Sequence, residues 1–361
     1  MIDESMDKEQ MKQPPQPWEF RSKPAWQRLF IMLGGVMVNF ILAMVIYIGI
    51  LFVWGEDYLP TENVKYGIVA DSTAQELGFR NGDMIITVGN KKIDNFKGIV
   101  PEILLNYPTK VQVNRDGQTV EIPVEKKDIK GIINSSKGLL SVRFPFVVEK
   151  VQSKENKNAN LKNADRFIAV NDTSKIYFNE YVDYCQSHKN TEIVVSLLRN
   201  TDTLKVPLKI NADGLMGIQV NPMKEFDLKH VDYGFFAAIP AGIGKGYKQT
   251  VDYLKQFKLI FSPSTGAYKK VGSLGTIIKI VSPTWNWQDF WALTAFLSII
   301  LGVVNLLPIP ALDGGHVMFV LYEMISGRKP SEKFLEYAQI AGFVLLIGIM
   351  IFAVRNDIIN W

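Results

Sequence analysis

Three apolar segments, each built around an uncharged run of at least 18 residues, interrupt an otherwise mixed pattern of hydrophobic and polar positions. A helix that crosses the hydrocarbon core of a bilayer needs about 20 predominantly apolar residues. The pattern therefore predicts three transmembrane segments, over residues 28–54, 288–325 and 336–355. The second is irregular, because Pro308 and Pro310 interrupt any helix that passes through it.

Basic residues beside these segments predict their orientation, because Lys and Arg collect on the cytoplasmic side of membrane helices. They precede the first and the last segment, at Arg21, Lys23, Arg28, Arg328, Lys329 and Lys333. We therefore expect residues 1–27 to form a cytoplasmic loop. The long polar region after residue 54 is expected to lie outside the cytoplasm.

The region between the first two segments contains a weak internal repeat. Residues 111–124 and 195–208 each have the pattern of strand, turn and strand, and Arg115 and Arg199 take the same place in the two copies. The spacing of the two arginines is 84 residues. The repeat predicts two small β-rich domains of related structure.

Each copy also has a turn that leads into a short strand, Gly82-Asp83 in the first and Ala164-Asp165 in the second. With these features the copies resemble PDZ domains of the bacterial, protease-associated kind, over residues 62–127 and 140–222. That resemblance implies a groove that takes an extended peptide beside a sheet edge. The alternative is that both copies are β-rich domains without a ligand.

Residues 233–262 predict an amphipathic helix, with aromatic and aliphatic side chains on one side and lysines on the other. Two interpretations remain open. The helix either lies on the outer surface of the membrane or packs, as a soluble helix, on one of the β-rich domains.

Composition narrows the functional classes. Hydrophobic residues make up 47% of the chain and charged residues 21%, which favours a membrane component. A net charge of +4 without a basic block gives no sign of a nucleic-acid partner. Cys185 is the only cysteine, which excludes an internal disulfide and a Cys-based zinc finger, and we expect it in the core of the second β-rich domain.

An acidic residue, Asp313, lies inside the interrupted apolar segment. It belongs to the string N-x-x-P-x-P-x-L-D-G-G, which begins at Asn305 and ends at Gly315. An aspartate at the centre of a bilayer costs about 2.5–3.5 kcal/mol even on the lower published scales, so its presence there needs a reason. The plain reason is capping of a helix that starts after Pro310, and the chemical one is a functional site.

The string resembles the site-2 protease family of intramembrane zinc metalloproteases. Over residues 20–358 the chain is similar to the bacterial members called regulator of sigma-E protease. Further features that fit are G-x-x-x-N at Gly35–Asn39, GSLGTI at residues 272–277 and a last span that ends near Asn356-Asp357. The resemblance implies an α-helical membrane protein with two extracytoplasmic PDZ-like β-rich domains.

The resemblance also implies a function. Such an enzyme cleaves the transmembrane segments of single-span proteins, typically anti-sigma factors, in the bacterial inner membrane after another protease has removed their outer domain. The PDZ pair would act as a size filter and membrane lipid would surround the spans. Asp313 would be the third zinc ligand, and Asn305, Asn39, Pro308 and Pro310 would bind substrate; for Asn39 the alternative is helix packing.

The chain departs from the family pattern at the other zinc ligands. A catalytic zinc site needs three protein ligands and an open position, and H-E-x-x-H normally supplies two of them. The sequence contains only His188, His230 and His316, no two of them four residues apart, so this motif is absent from it. His316 shares a helical face with Asp313, but two ligands without a general base would form a weak site.

Two functional hypotheses therefore remain. In the first, these residues are the C-terminal part of an intramembrane zinc endopeptidase whose H-E-x-x-H span precedes residue 1. In the second, the chain is a pseudoenzyme, a non-catalytic membrane-anchored PDZ adaptor. The string from Asn305 to Gly315 favours the first hypothesis and the missing histidines favour the second.

Overall fold

The computed structural model of this chain describes residues 16–135, 138–273 and 284–359. Residues 1–15 of the predicted cytoplasmic loop and residues 274–277 of the GSLGTI string lie outside them. The chain divides into two compact units. The β-rich unit is Asp57–His230, and the helical unit combines Met1–Glu56 with Val231–Trp361.

Helices occur in both units. In the described residues the α-helices are α1 (Ala25–Trp54), α2 (Ser72–Glu76), α3 (Ile99–Asn106), α4 (Ile129–Asn134), α5 (Phe178–Ser187), α6 (Phe235–Ile260), α7 (Trp287–Asn305), α8 (Asp313–Ser326) and α9 (Glu332–Ile359). Three of them, α1, α7 and α9, are long and apolar enough to cross a membrane.

The core of the helical unit lies between α1 and α7. Ala43, Tyr47 and Ile50 are buried against Ile299 and Val303, at the spacing of three and four residues that places side chains on one helical face. Elsewhere these helices expose their apolar surface. In the most apolar windows of α1, α7 and α9 only 28%, 28% and 11% of the residues are buried, as expected of helices surrounded by lipid.

The predicted amphipathic segment 233–262 contains helix α6, which packs against α1. Gly242 and Gly246 make this contact close, since a Cβ on Gly242 would lie 2.6 Å from the backbone nitrogen of Ile48. Small residues four apart commonly allow such an approach between membrane helices. The ring of Tyr253 also contacts Phe296 of α7, with 6.2 Å between the ring centroids.

The predicted segment 288–325 consists of two helices rather than one. Helix α7 ends at Asn305, residues 306–312 form a loop, and α8 begins at Asp313. Pro308 and Pro310 lack the backbone N–H that a continuous helix requires, which explains the break.

In the described residues, the β-rich unit contains small sheets of two to four strands. Its strands, with those at its two ends, are β1 (Glu56–Tyr58), β2 (Ile68–Ala70), β3 (Met84–Val88), β4 (Lys110–Arg115), β5 (Gln118–Pro123), β6 (Leu140–Val142), β7 (Lys150–Val151), β8 (Arg166–Val170), β9 (Thr173–Ser174), β10 (Glu192–Arg199), β11 (Asp202–Lys209), β12 (Ile218–Gln219) and β13 (Lys229–Val231). They are ordered β3-β4-β5, β11-β10-β8-β9, β2-β6, β12-β7 and β1-β13.

The two hairpins predicted from the repeat are confirmed. Strand β4 pairs with β5 and β10 pairs with β11, and the closing pairs are Arg115 with Gln118 and Arg199 with Asp202. In the first hairpin Asp116 and Gly117 both have positive φ, 51° and 85°, which is the signature of a tight two-residue turn.

Each repeat contains the same buried ion pair. Arg115 donates from Nε and Nη2 to the carboxylate of Asp83 at 2.7 and 2.8 Å, and Arg199 donates to Asp165 at 2.7 Å from both atoms. Both carboxylates are only 1% exposed. Burial by itself raises the pKa of Asp165, but the hydrogen bonds from Arg199 and from the Lys162 backbone bring it below its ordinary value.

This pair gives the β-rich unit a defined pH dependence. A carboxyl group whose pKa is lowered by folding stabilises the folded state at pH values above the pKa that it has in the unfolded chain, about 3.9 for Asp. This stabilisation is lost as the pH falls through the pKa of the folded state. In Arg199→Met, burial alone would raise the pKa of Asp165. We therefore expect lower thermal stability at neutral pH and a stability that rises as the pH falls from neutral to about 4, a range over which the contribution of the intact pair is constant.

Thermal unfolding of the detergent-solubilised Arg199→Met variant at several pH values, followed by far-UV circular dichroism, measures this pH dependence of stability. The matched control is Lys205→Met, which removes an ion pair with Asp172 of similar length, 2.6 Å, whose side chains are 60% and 78% exposed. Such exposed pairs contribute about 0–1 kcal/mol, so the control should unfold like the unmodified protein. Equal loss of stability in both variants would contradict the account.

The expectation for Cys185 is confirmed. Its thiol is buried in the second repeat among Phe146, Tyr181, Ile193 and Leu208. Burial raises the pKa of the thiol to about 11, so the thiolate that alkylating reagents attack is scarce at neutral pH. Cysteines introduced elsewhere are therefore labelled selectively in the folded chain.

Candidate active site

The predicted site residues Asn305 and Asp313 lie at the two ends of one loop, residues 306–312. Asn305 is half-buried as the last residue of α7, whereas Asp313 is exposed as the first residue of α8. The N-cap position of α8 belongs to Leu312. Asp313 is therefore not the capping residue, although its charge suits a helix N-terminus.

The carboxylate of Asp313 accepts no hydrogen bond from the residues that the structure describes. Its two neighbours in the string, Gly314 and Gly315, are buried. A Cβ on Gly315 would lie 2.5 Å from the carbonyl oxygen of Ile309, and one on Gly314 would lie 2.6 Å from the Leu306 carbonyl carbon. The two glycines thus allow the loop to fold back directly onto the first turn of α8.

The loop 306–312 is compact and held by backbone hydrogen bonds between its own residues. The Ile309 N–H donates to the Leu307 carbonyl at 2.7 Å, and the Leu312 N–H donates to Ile309 at 3.0 Å. Ala311 between them has φ of 89°, in a region that residues with a side chain rarely adopt. Pro308 is exposed and Pro310 is half-buried.

A side-chain hydrogen bond places Asn39 at the interface of α1 and α7. The buried hydroxyl of Ser298 donates to the backbone carbonyl of Asn39 at 2.8 Å. Asn305 follows Ser298 by seven residues, so it lies two turns along the same face of α7. Asn305 and Ser298, which contacts Asn39, therefore lie on one face of α7, two turns apart.

An ion pair joins α8 to the beginning of α1. Arg28 Nη2 lies 2.6 Å from Glu323 Oε1, and the side chains are 11% and 16% exposed. Arg28 also donates from Nε to the Lys23 carbonyl at 3.0 Å. This pair fixes the orientation of the helix whose first residue is Asp313.

Metal-ligating side chains are too few for a complete zinc site in residues 16–135, 138–273 and 284–359. No group of three or more His, Cys, Asp or Glu side chains comes together there. His316 follows Asp313 by three residues, and its ring meets Phe319 edge-on at 6.2 Å. His188 lies on the surface of the β-rich unit, stacked on Tyr184. Asp313 can therefore supply one ligand but not a site.

The profile of the family described as Peptidase family M50 matches residues 2–349. The chain belongs to this family. It is the site-2 protease family, whose members depend on zinc. The match covers nearly the whole chain and includes α1, α7, α8 and the loop between the last two.

Individual relatives agree with the family. A protein of Xylella fastidiosa named "Putative zinc metalloprotease" is 24% identical over 366 aligned residues, which cover 94% of this chain and 80% of that protein. Metalloprotease MmpA of Caulobacter vibrioides is 27% identical over 341 aligned residues, 94% of this chain and 70% of that protein. This M50 chain is thus a membrane metalloprotease with zinc as its cofactor.

The structure adds residues to this site that the sequence did not indicate. Ser298, the pair of Arg28 and Glu323, and the strained Ala311 all contact or continue the elements that carry Asn39 and Asp313. A hydroxyl inside an apolar helix was the one sequence signal available for Ser298. The ion pair joins residues 295 positions apart and has no local signature.

Proposed function

We propose that these residues form the substrate-binding and third-ligand part of an intramembrane zinc endopeptidase that cleaves transmembrane segments of single-span proteins. Asp313 supplies one zinc ligand. Further protein ligands would have to join it, because no group of three or more His, Cys, Asp or Glu side chains comes together in the described residues. Bound zinc would activate the water that attacks the peptide bond.

The observation that carries this proposal is the state of Asp313. The side chain is exposed, accepts no hydrogen bond from the described residues, and begins a helix directly after a candidate membrane span. An intramembrane carboxylate without a structural partner indicates a functional site. Asn305 at the other end of the loop, with Asn39, Pro308 and Pro310, would bind the substrate backbone.

Metal removal tests the proposal. The protein is purified from its own membranes and incubated with a single-span substrate, before and after treatment with a zinc chelator. We expect cleavage to stop on chelation and to return when zinc, but not magnesium, is added back, because nitrogen and carboxylate donors select zinc over a hard oxygen-seeking ion. Cleavage that resists chelation would contradict the proposed chemistry.

The β-rich unit would select substrates. A cleft of about 610 Å³ opens between the paired strands β2 and β6 and helix α5. Its apolar lining includes Val69, Val142, Phe144, Phe178 and Val182. This arrangement suits PDZ-like domains that take an extended peptide or, as a pair, exclude proteins with large outer domains.

Localisation follows from the spans and the flanking charges. We propose a multi-pass protein of the bacterial inner membrane, with the β-rich unit outside the cytoplasm and anti-sigma factors among its substrates. Helix α6 packs along the span α1 and would lie beside it in the membrane. Its exposed residues Phe236, Ile243, Tyr247 and Leu254 share one helical face and would contact lipid.

The second candidate is a membrane-anchored peptide-binding adaptor without catalysis. The incomplete ligand set in the described residues favours it, and so does the cleft in the β-rich unit. The chelation experiment distinguishes the two functions, since an adaptor would cleave nothing with or without zinc.

A further inference from the structure

We propose that Gly342 of α9 is the positioning residue that holds the loop 306–312, and with it Asp313, in its place. The inference rests on the proposed role of Asp313. A Cβ built on Gly342 would overlap the carbonyl oxygen of Pro310 and would lie 3.0 Å from the Pro310 Cα. Only glycine at this position lets the loop lie directly on α9.

Helix α9 has little freedom to move away from the loop. Near its beginning the ring of Phe334 packs on Phe319 of α8, at 5.9 Å between centroids. Near its end, Asn356 donates from Nδ2 to the carbonyls of Tyr268 and Val271, at 3.1 Å each. The Ser273 N–H donates to Asp357 at 2.9 Å. With contacts at both ends, α9 presents Gly342 at a fixed place.

The conformation of the loop supports the inference independently. Ala311 directly follows Pro310, and its φ of 89° is strained for a residue with a Cβ. A strained backbone conformation persists only where contacts with the surrounding structure hold it in place, and such conformations are concentrated at functional sites. The contact of Pro310 with Gly342 supplies that constraint on one side, and the contacts of Gly314 and Gly315 supply it on the other.

A side chain at position 342 would therefore displace the loop and the carboxylate that follows it. Interiors are close-packed, and an added methyl group forces backbone shifts when no space exists. A displacement of about 1 Å at a reacting centre can lower the rate about 100-fold. Asn39 and Asn305 would keep their places on α1 and α7, whereas Pro308 and Pro310 would move with the loop, so KM should rise as kcat falls.

The experiment compares Gly342→Ala with Gly348→Ala in the protein produced in its own membranes. Gly348 lies on the same helix, and a Cβ there would meet nothing within 4 Å. We expect Gly342→Ala to lower kcat about 100-fold, with a rise in KM as Pro308 and Pro310 move, and Gly348→Ala to behave like the unmodified enzyme. Activity of Gly342→Ala equal to that of Gly348→Ala would overturn the inference.

A readout besides activity uses Asp313→Cys, with the alkylation rate of the new thiol measured in each glycine background. We expect Gly342→Ala to change this rate and Gly348→Ala to leave it unchanged. If Asp313→Asn retained activity while the alkylation rate still responded to Gly342→Ala, the proposed function would fail but the positioning of the loop would stand. An unaltered rate would overturn the inference.

A second variant decides the question if Gly342→Ala does not accumulate. Ala311→Gly accepts the φ of 89° without strain, so the loop can yield beside a side chain at position 342. We expect the double variant, Gly342→Ala with Ala311→Gly, to accumulate and to have a lower kcat than Ala311→Gly alone. Equal kcat values in these two proteins would overturn the inference.

Discussion

Replacement of Asp313 by Asn is expected to abolish peptide cleavage while leaving the fold intact. Mutation of a residue that hydrogen-bonds to a metal ligand already lowers activity or metal affinity about 10–100-fold, and loss of a ligand itself should lower them more. The fold should tolerate the change, because the Asp313 side chain is exposed and accepts no hydrogen bond from the described residues. Cleavage of a single-span substrate in membranes measures the effect.

The matched control is Asp289→Asn. Asp289 is also an exposed carboxylate in the first turn of a membrane helix, α7. Both variants lose the same favourable interaction with a helix N-terminus, about 0.3–1 kcal/mol, but only Asp313 stands at the proposed metal site. We expect Asp289→Asn to cleave normally, and equal activities of the two variants would remove Asp313 from the mechanism.

Reversal of one charge in the pair of Arg28 and Glu323 is expected to destabilise the helical unit strongly. Arg28→Glu or Glu323→Arg would place like charges side by side where the side chains are 11% and 16% exposed. Breaking a buried pair typically costs about 3–5 kcal/mol, because the remaining charge is left without a partner. Thermal stability in detergent and substrate cleavage should both fall.

The double reversal is expected to restore both properties. Arg28 lies in the first turn of α1, and Glu323 lies in the last turn of α8. Each charge thus has the sign that its helix end disfavours. In the double variant, Arg28→Glu with Glu323→Arg, the ion pair returns and both charges acquire the favoured sign.

The control for charge reversal is Lys92→Glu. Lys92 pairs with Glu62 at 3.1 Å, but both side chains are about two-thirds exposed, at 66% and 67%. Exposed pairs contribute about 0–1 kcal/mol, so this reversal should have little effect. A double reversal of Arg28 and Glu323 that is no more stable than the single ones would show that the pair does not fix α8.

Local features of the structure were predictable from the sequence. Hydropathy alone located the three helices that can cross a membrane, because a bilayer requires a minimum apolar length. The two hairpins followed from their alternating pattern and turn residues, and the repeat placed Arg115 and Arg199 at equivalent positions. Prolines in the string Asn305–Gly315 predicted the break between α7 and α8.

Features that depend on distant contacts were not predictable. Gly342 and Gly348 are both single glycines in one apolar helix, and only the position of Pro310 distinguishes them. The partner of Arg115 was also hidden, since Asp83 was identified only as part of a turn. Helix α6 was predicted as amphipathic, but its packing on α1 was not predicted. That packing depends on Gly242 and Gly246, and their spacing of four residues was the one feature of the sequence that could have indicated it.

The zinc content of the protein purified from its own membranes tests the central claim most directly. The account predicts a stoichiometric amount of zinc in the unmodified protein and a large loss of zinc in Asp313→Asn, with Asp289→Asn unaffected. An unmodified protein without zinc, or an Asp313→Asn variant that retains it fully, would contradict the assignment of Asp313 as a zinc ligand.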